Sequence, residues 1–250
     1  MKKSYICLSM LMLFLCLSCS ARIEGALNAD GSAEIAIQSS LEAGMASLIR
    51  SLSRRTAAPQ SKPAAEILVL DGQAIARSMA ASPGITSVSF VNTASSAIAG
   101  TIKVSKIDEF LRPPGNSRRL NFITYEQKSL SASGPPGGGR LLISLDRSTG
   151  PEIVSLISAD AADYLSSLMA PVATGEQLTR QEYMELVTSV YRKETAAEIS
   201  AARIRAAIEF PGPIVSVRGG TFSGSRAEFN VPLIDLLVLE APLSYEVVWR

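Results

Sequence analysis

The chain contains no histidine, which removes Ser-His-Asp and Cys-His nucleophile systems, imidazole-ligated zinc and a histidine general base together. Enzymatic chemistry is thereby left to carboxylates, Lys, Tyr or Ser. Carboxylates do recur at helical spacing. Asp160 and Asp163 stand three apart, as do Glu182 and Glu185, while Glu194 and Glu198 stand four apart, so each pair shares a helix face. Such pairs divide acid and base roles when their environments split their pKa values, or bind Ca²⁺ when a loop adds further oxygens. No EF-hand spacing surrounds them. Solvated helix faces are the simpler reading, and a histidine-free hydrolase built on Asp160 and Asp163 is the enzymatic alternative. Two glycine-rich stretches fail as phosphate loops. Gly134-Pro-Pro-Gly-Gly-Gly139 is followed by Arg140 and Leu141 rather than Lys and Ser or Thr, and its prolines remove two N–H donors. Gly219-Gly-Thr-Phe-Ser-Gly224 lacks GxGxxG spacing and precedes a strand, and no GxSxG or SxxK motif occurs. No catalytic residue, cofactor site or metal site is expected.

Tyr183, Val187 and Tyr191 recur at helical spacing. That stripe more often marks a buried core face, and the lining of a ligand pocket is the alternative. An amphipathic helix closing over a curved antiparallel sheet can enclose an apolar cavity for a lipid-like ligand. These three residues are the candidate lining.

The segment Met1 to Cys19 reads MKKSYICLSMLMLFLCLSC. Lys2 and Lys3 give a positive start, and Tyr5 to Ser18 carry no charge. That run fits the apolar core of a secretory signal and is too short for a comfortable membrane span. It ends in Cys16-Leu17-Ser18-Cys19, after which Ser20, Arg22 and Glu24 turn the chain polar. This resembles the lipobox of bacterial lipoproteins, where a small residue precedes the cysteine that takes a diacylglyceryl group and becomes the mature N-terminus. The Leu usual three residues before that cysteine is here Cys16, between Leu15 and Leu17, a departure that suits relaxed lipoboxes of spirochaetal type. The resemblance implies a signal peptide over 1–18, lipidation of Cys19, and an extracytoplasmic domain over 19–250 tethered to a bacterial cell-envelope membrane.

All three cysteines, Cys7, Cys16 and Cys19, fall in this leader, so the domain is expected to lack disulfides and to depend on its core. Without Lys2 and Lys3 the basic side chains no longer outnumber the 23 acidic ones. A neutral domain with no basic excess is not expected to bind nucleic acid. No polybasic block helps to hold it on anionic lipid. Anchoring therefore falls to the acyl chains, at about 0.8 kcal/mol per buried CH₂.

The elements that must position these residues read as α+β. Arg22 to Asn28 and Ser32 to Gln38 form a hairpin about Ala29-Asp30-Gly31, whose glycine accepts the positive φ of the turn. Leu41 to Arg55 has helical periodicity, with Ser39 or Ser40 as its cap, and Asp71 caps a second helix through Ala81. Ile85 to Thr93 pairs with Ala97 to Ser105, and Arg119 to Gln127 and Arg140 to Asp146 are further strands. The loop over 129–139 is a point of subdivision of the domain. A helix covers Asp160 to Met169, and the capping box Thr179-Arg-Gln-Glu182 opens one long helix near 179–207. Pro211-Gly212-Pro213 ends that helix, and Ile214 to Val217, Ala227 to Val231 and Ser244 to Trp249 close the chain as strands. Hairpins at both ends and helices between imply an antiparallel sheet packed against amphipathic helices.

Two stretches are similar to the LppM-type bacterial lipoproteins of unknown function. One is the cysteine followed at once by a strand, Asn28-Ala29-Asp30-Gly31-Ser32 and another strand. The other is Phe210-Pro-Gly-Pro-Ile214, the turn at Gly219-Gly220, the strand Ala227 to Val231 and Trp249. The likeness implies an α+β extracytoplasmic domain and carries over no catalytic residue. The function expected is a non-enzymatic binding or interaction role in the envelope, with an apolar or lipid ligand, or as a structural partner in a protein complex.

Overall fold

The computed structural model describes residues 20–56, 69–80, 82–111, 120–127, 138–156 and 159–250. Residues 1–19, on which the expected signal peptide and Cys19 fall, the connector at 57–68 and most of the 129–139 loop lie outside the described residues. The first hairpin forms as its alternation requires: β1 (Ser20–Leu27) pairs antiparallel with β2 (Ala33–Ser40), Ser20 opposite Ser40 and Leu27 opposite Ala33. Gly31 takes φ +81° at the turn, a conformation that only glycine adopts at little cost. The Asp30 carboxylate accepts from the Ser32 N–H at 2.9 Å and its hydroxyl at 2.7 Å, which holds that carboxyl below the usual range.

Helix α1 (Ala43–Thr56) follows, and Ser39 and Ser40 remain in β2 rather than capping it. Its first N–H groups are received instead by the Glu198 carboxylate, far along the chain. Asp71 caps α2 (Gly72–Ala80) as expected, accepting from the Ala74 N–H at 2.9 Å. β3 (Ile85–Ala94) and β4 (Ala97–Val104) make the second hairpin. The Phe90 ring lies directly on Gly100, where a Cβ would collide with it. After α3 (Ile107–Leu111) come β5 (Ile123–Gln127) and β6 (Gly139–Leu145), then the short helices α4 (Gly150–Leu156), α5 (Ala159–Ser167) and α6 (Pro171–Thr174).

The single long helix expected near 179–207 is instead two helices and a strand. α7 (Arg180–Val190) opens on the complete Thr179–Glu182 capping box. Tyr191 and Arg192 are extended, and α8 (Lys193–Ala201) then starts afresh. The backbone leaves the helix again at Ala202 and continues as β7 (Arg203–Glu209). The helix propensity of Arg and Ala is overridden because β7 bonds a strand on each side. Its sequence also alternates, with Ile204, Ala206 and Ile208 on one face. Pro211-Gly212-Pro213 accordingly ends a strand, not a helix. β8 (Ile214–Arg218), β9 (Thr221–Ser223), β10 (Arg226–Pro232), α9 (Leu233–Val238) and β11 (Leu243–Trp249) complete the chain.

Two sheets result, seven strands in the order β3-β4-β2-β1-β7-β10-β9 and four in the order β5-β6-β11-β8. Among the described residues every pairing is antiparallel except β1 with β7, which is parallel. The fold class is α+β, with two antiparallel-rich sheets rather than one. The large sheet buries Leu27, Ala33, Val104 and Ala227 on one face. The Phe229 ring of that face meets Tyr245 of the small sheet edge-on at 5.7 Å, and Gly72 of α2 packs against Phe90 of the same face. Trp249, 2% exposed, stacks on Tyr125 at 6.2 Å and tilts against Phe210 at 4.9 Å, joining the last strand to β5 and the end of β7.

Candidate functional site

Register fixes which residues share the large sheet's other face. Arg22 stands beside Gln38 on β2 and Arg205 on β7; Gln38 beside Ala99 on β4; Arg205 beside Asn230 on β10. Strand alternation turns this row away from the core. The row lines an open groove of about 1240 Å³ that runs across the sheet from Thr93 on β3 to the β8–β9 turn at Gly219–Thr221. No helix residue contributes to the lining, and Arg22, Gln38, Arg205, Arg226, Glu228 and Asn230 of the outward register all do, beside Ala21, Ile23, Ala206 and Phe229 from between them. The groove therefore runs along the outer face of the sheet. Its floor stays low because Ala97, Ala99 and Ala207 stand where strands more often carry β-branched or longer side chains.

The charges of this face are mostly paired. Arg22 binds Glu24 at 2.7 Å, Lys103 lies 3.7 Å from Glu34, and Arg226 binds Glu228 at 3.2 Å. Arg203 donates to the backbone carbonyls of Ser200 at 2.7 Å and Ala202 at 2.8 Å. Arg205, in the middle of the row and exposed, has no hydrogen-bond or ion-pair partner among the described residues. It offers a planar fork of N–H donors suited to a carboxylate or phosphate. A second, smaller cavity of about 240 Å³ lies between α6 and the end of α9. Arg147 spans that region structurally, donating to the carbonyls of Leu239 at 3.2 Å and Leu178 at 2.8 Å.

The stripe expected to line a pocket is packed core. Tyr183 and Val187 are wholly buried, and neither lines the groove or the smaller cavity. The Tyr183 hydroxyl donates to the Leu168 carbonyl at 3.4 Å, and burial pushes its pKa up. Tyr191, half-buried, donates to the Ser167 carbonyl at 2.6 Å. Together the two tyrosines tie α7 to the end of α5.

The carboxylate pairs separate into individual structural roles. Glu182 accepts from the Thr179 N–H at 2.7 Å and its hydroxyl at 2.8 Å, which holds its carboxyl below the usual range. Glu185 accepts from Gln181 at 2.9 Å. Glu198 leaves its own helix and accepts from the N–H groups of Gly44 at 3.0 Å and Met45 at 2.7 Å, capping α1 from 154 residues away. Glu194 and Asp163 are exposed, and the side chain of Asp160 lies outside the described residues. Among the described residues no group of three or more Cys, Asp or Glu gathers to hold a metal ion.

Sequence reasoning missed Arg205, Arg22, Gln38 and Asn230 as one row. The available signal was the alternation of Arg203, Arg205, Ala207 and Glu209 with apolar residues, hidden inside an expected helix. Among the described residues no helix is long and apolar enough to cross a membrane. No family model matches the chain, and no curated protein matches it. Among solved structures the chain is similar to the folded domain of the Mycobacterium tuberculosis LppM protein, determined by NMR. That likeness has a TM-score of 0.39 and 10% identity, over 93% of this chain and 90% of the other.

Proposed function

We propose that this chain is a lipid-anchored, non-enzymatic binding protein of the bacterial cell envelope whose ligand occupies the outer groove of the seven-stranded sheet. The observation that supports this reading is Arg205, exposed and without a partner among the described residues, over an alanine floor and among charges otherwise paired. A guanidinium so placed suits a ligand with an anionic group. The expected lipid-like ligand is retained only in that form: a molecule with a charged head lying along the groove, since the space beneath α7 is filled by Tyr183 and Val187.

The reading is tested on protein purified from membranes in mild detergent, by native mass spectrometry. The expected result is a reproducible added mass, lost in Arg205→Glu and in Ala207→Trp, both of which keep the wild-type unfolding midpoint. A bare mass for the wild type, or an adduct that survives both substitutions, overturns it. The anchor has its own test: Cys19→Ala should abolish acyl labelling and release the protein from membranes.

A second reading, a structural partner in an envelope complex, has its own support. Val91 and Phe222 are large exposed apolar side chains, 60% and 46% accessible, on the two edge strands β3 and β9. Edge strands offer unpaired backbone to a neighbour. Cross-linking from these edges to a stable co-purifying protein would support it.

A further inference from the structure

We infer that the end of the seven-stranded sheet at which β1 begins is the membrane-facing end, so that the groove opens onto the bilayer surface. The inference rests on the lipid anchor at Cys19 proposed above and adds an orientation to it. β1 starts at Ser20, the residue after Cys19, and β1 is the middle strand of the seven. Adjacent α-carbons stand about 3.8 Å apart, so no linker separates the acylated residue from the sheet. The anchor then holds the centre of the sheet's end against the surface rather than a corner of it. Register sets Ser40, Ala97, Arg203 and Pro232 in one line with Ser20.

The charges of the two ends differ in the sense an anionic bilayer selects. At the anchored end Arg203 stands in the first row and Arg22 and Arg205 in the next on the groove face. The β3–β4 turn there, Thr93 to Ser96, carries no charge. The acids at this end, Glu42, Glu198 and Asp71, stand at helix starts rather than in the groove-face rows, and Glu42 is pushed toward its neutral form by desolvation and by Glu198. The opposite end carries Asp30 in the β1–β2 turn, Glu34 on β2, Glu209 at the close of β7, and Asp108 and Glu109 on α3, acids that outnumber Lys103, Lys106 and Arg226 there. α3 is fixed beside that turn by the bond from the Ile107 N–H to the Gly31 carbonyl at 2.9 Å. Anionic headgroups attract the first end and repel the second. Anionic lipid heads at the membrane surface are then the molecules that meet Arg205 first.

The eight residues of β1, at about 3.3 Å each, put the two ends roughly 23 Å apart, a separation that quenching resolves. The full lipoprotein is reconstituted into phosphatidylcholine–phosphatidylglycerol vesicles that contain lipid with a nitroxide on its headgroup. A fluorophore is placed on Thr93→Cys at the anchored end or on Glu109→Cys at the other; both positions are exposed. Ser40→Cys serves as a second anchored-end position should Thr93→Cys fold poorly. The expected result is quenching several-fold stronger at 93 and 40 than at 109. Equal quenching, or the reverse order, with acyl label present on Cys19 overturns the orientation and leaves the anchor standing. Absence of acyl label removes the anchor and the orientation with it.

Discussion

Glu198→Ala tests whether a residue that looks like part of a solvated helix face is a helix cap supplied from another element. The carboxylate receives two N–H groups at the start of α1, at 3.0 and 2.7 Å. The residue is half-buried, so water replaces those bonds incompletely. Loss of an N-cap costs about 1 kcal/mol, and hydrogen bonds to charged groups contribute about 1.5–3 kcal/mol. A net loss of about 2 kcal/mol is the working figure, which lowers Tm by roughly 4–8 °C for a chain of this size. Glu198→Gln keeps one acceptor and should lose about half as much. Circular dichroism melts and urea titrations measure both. The sharper test is a cycle with Gly44→Ala. A Cβ on Gly44 would lie 2.7 and 2.9 Å from the Glu198 oxygens, so the added methyl must displace the cap and destabilise the wild type. In the Glu198→Ala background that obstacle is gone, and Gly→Ala in a helix gains up to about 1 kcal/mol. The sign of Gly44→Ala should therefore invert between backgrounds. A solvated face predicts changes within about 0.5 kcal/mol for Glu198→Ala; that result, or additivity in the cycle, would refute the reasoning.

Two further outcomes are expected. Glu246 on β11 receives Arg218 across the pair and Arg140 at 2.6 Å, and these arginines hold its carboxyl below the usual range. A depressed carboxylate contributes stability that is present above the unfolded-state pKa, about 4.3, and is lost as pH falls through the lower folded value. Glu182, Asp146 and Asp30 shift in the same direction, so the urea midpoint should drop on acidification from pH about 5 to about 3. Glu246→Gln should flatten part of that drop; an unchanged acid limb would show that the arginine contacts do not persist in solution. Trp249→Ala should cost about 3–5 kcal/mol by vacating the space between Tyr125 and Phe210. Trp249→Phe should recover most of it, because the indole N–H has no hydrogen-bond partner among the described residues. A phenylalanine variant as unstable as the alanine one would show that the indole N–H is bonded after all.

The residues with local signals were legible in the sequence. Alternation and Asp30-Gly31 specified the first hairpin, Asp71 and the Thr179–Glu182 box specified helix starts, and the apolar pattern placed most strands to within a few residues. The α+β class follows from those elements alone. Absence of histidine limits the chemistry through composition by itself, whatever the fold. Tyr183 and Val187 share a helix face, with Tyr191 just past its end, but spacing alone cannot distinguish a packed core from the wall of a cavity. Only the neighbours across the stripe decide that, and here they fill it.

The rest was decided by contacts between residues distant in sequence. The segment after Ala202 is rich in Arg and Ala and has good intrinsic helix propensity, yet it is a strand because β1 and β10 stand ready to bond both of its edges. A hydrogen-bonding slot of that kind is built in part from the first strand of the domain, at the other end of the chain, and leaves no local trace. The same slot creates the candidate site, since Arg205 reaches the outer face beside Arg22 only once β7 is parallel to β1. Glu198 finds α1 for the same reason. The sequence by itself determined the pieces, through backbone geometry and side-chain alternation. Tertiary pairing determined which face each charge occupies, because burial and register are properties of neighbours and not of the residue.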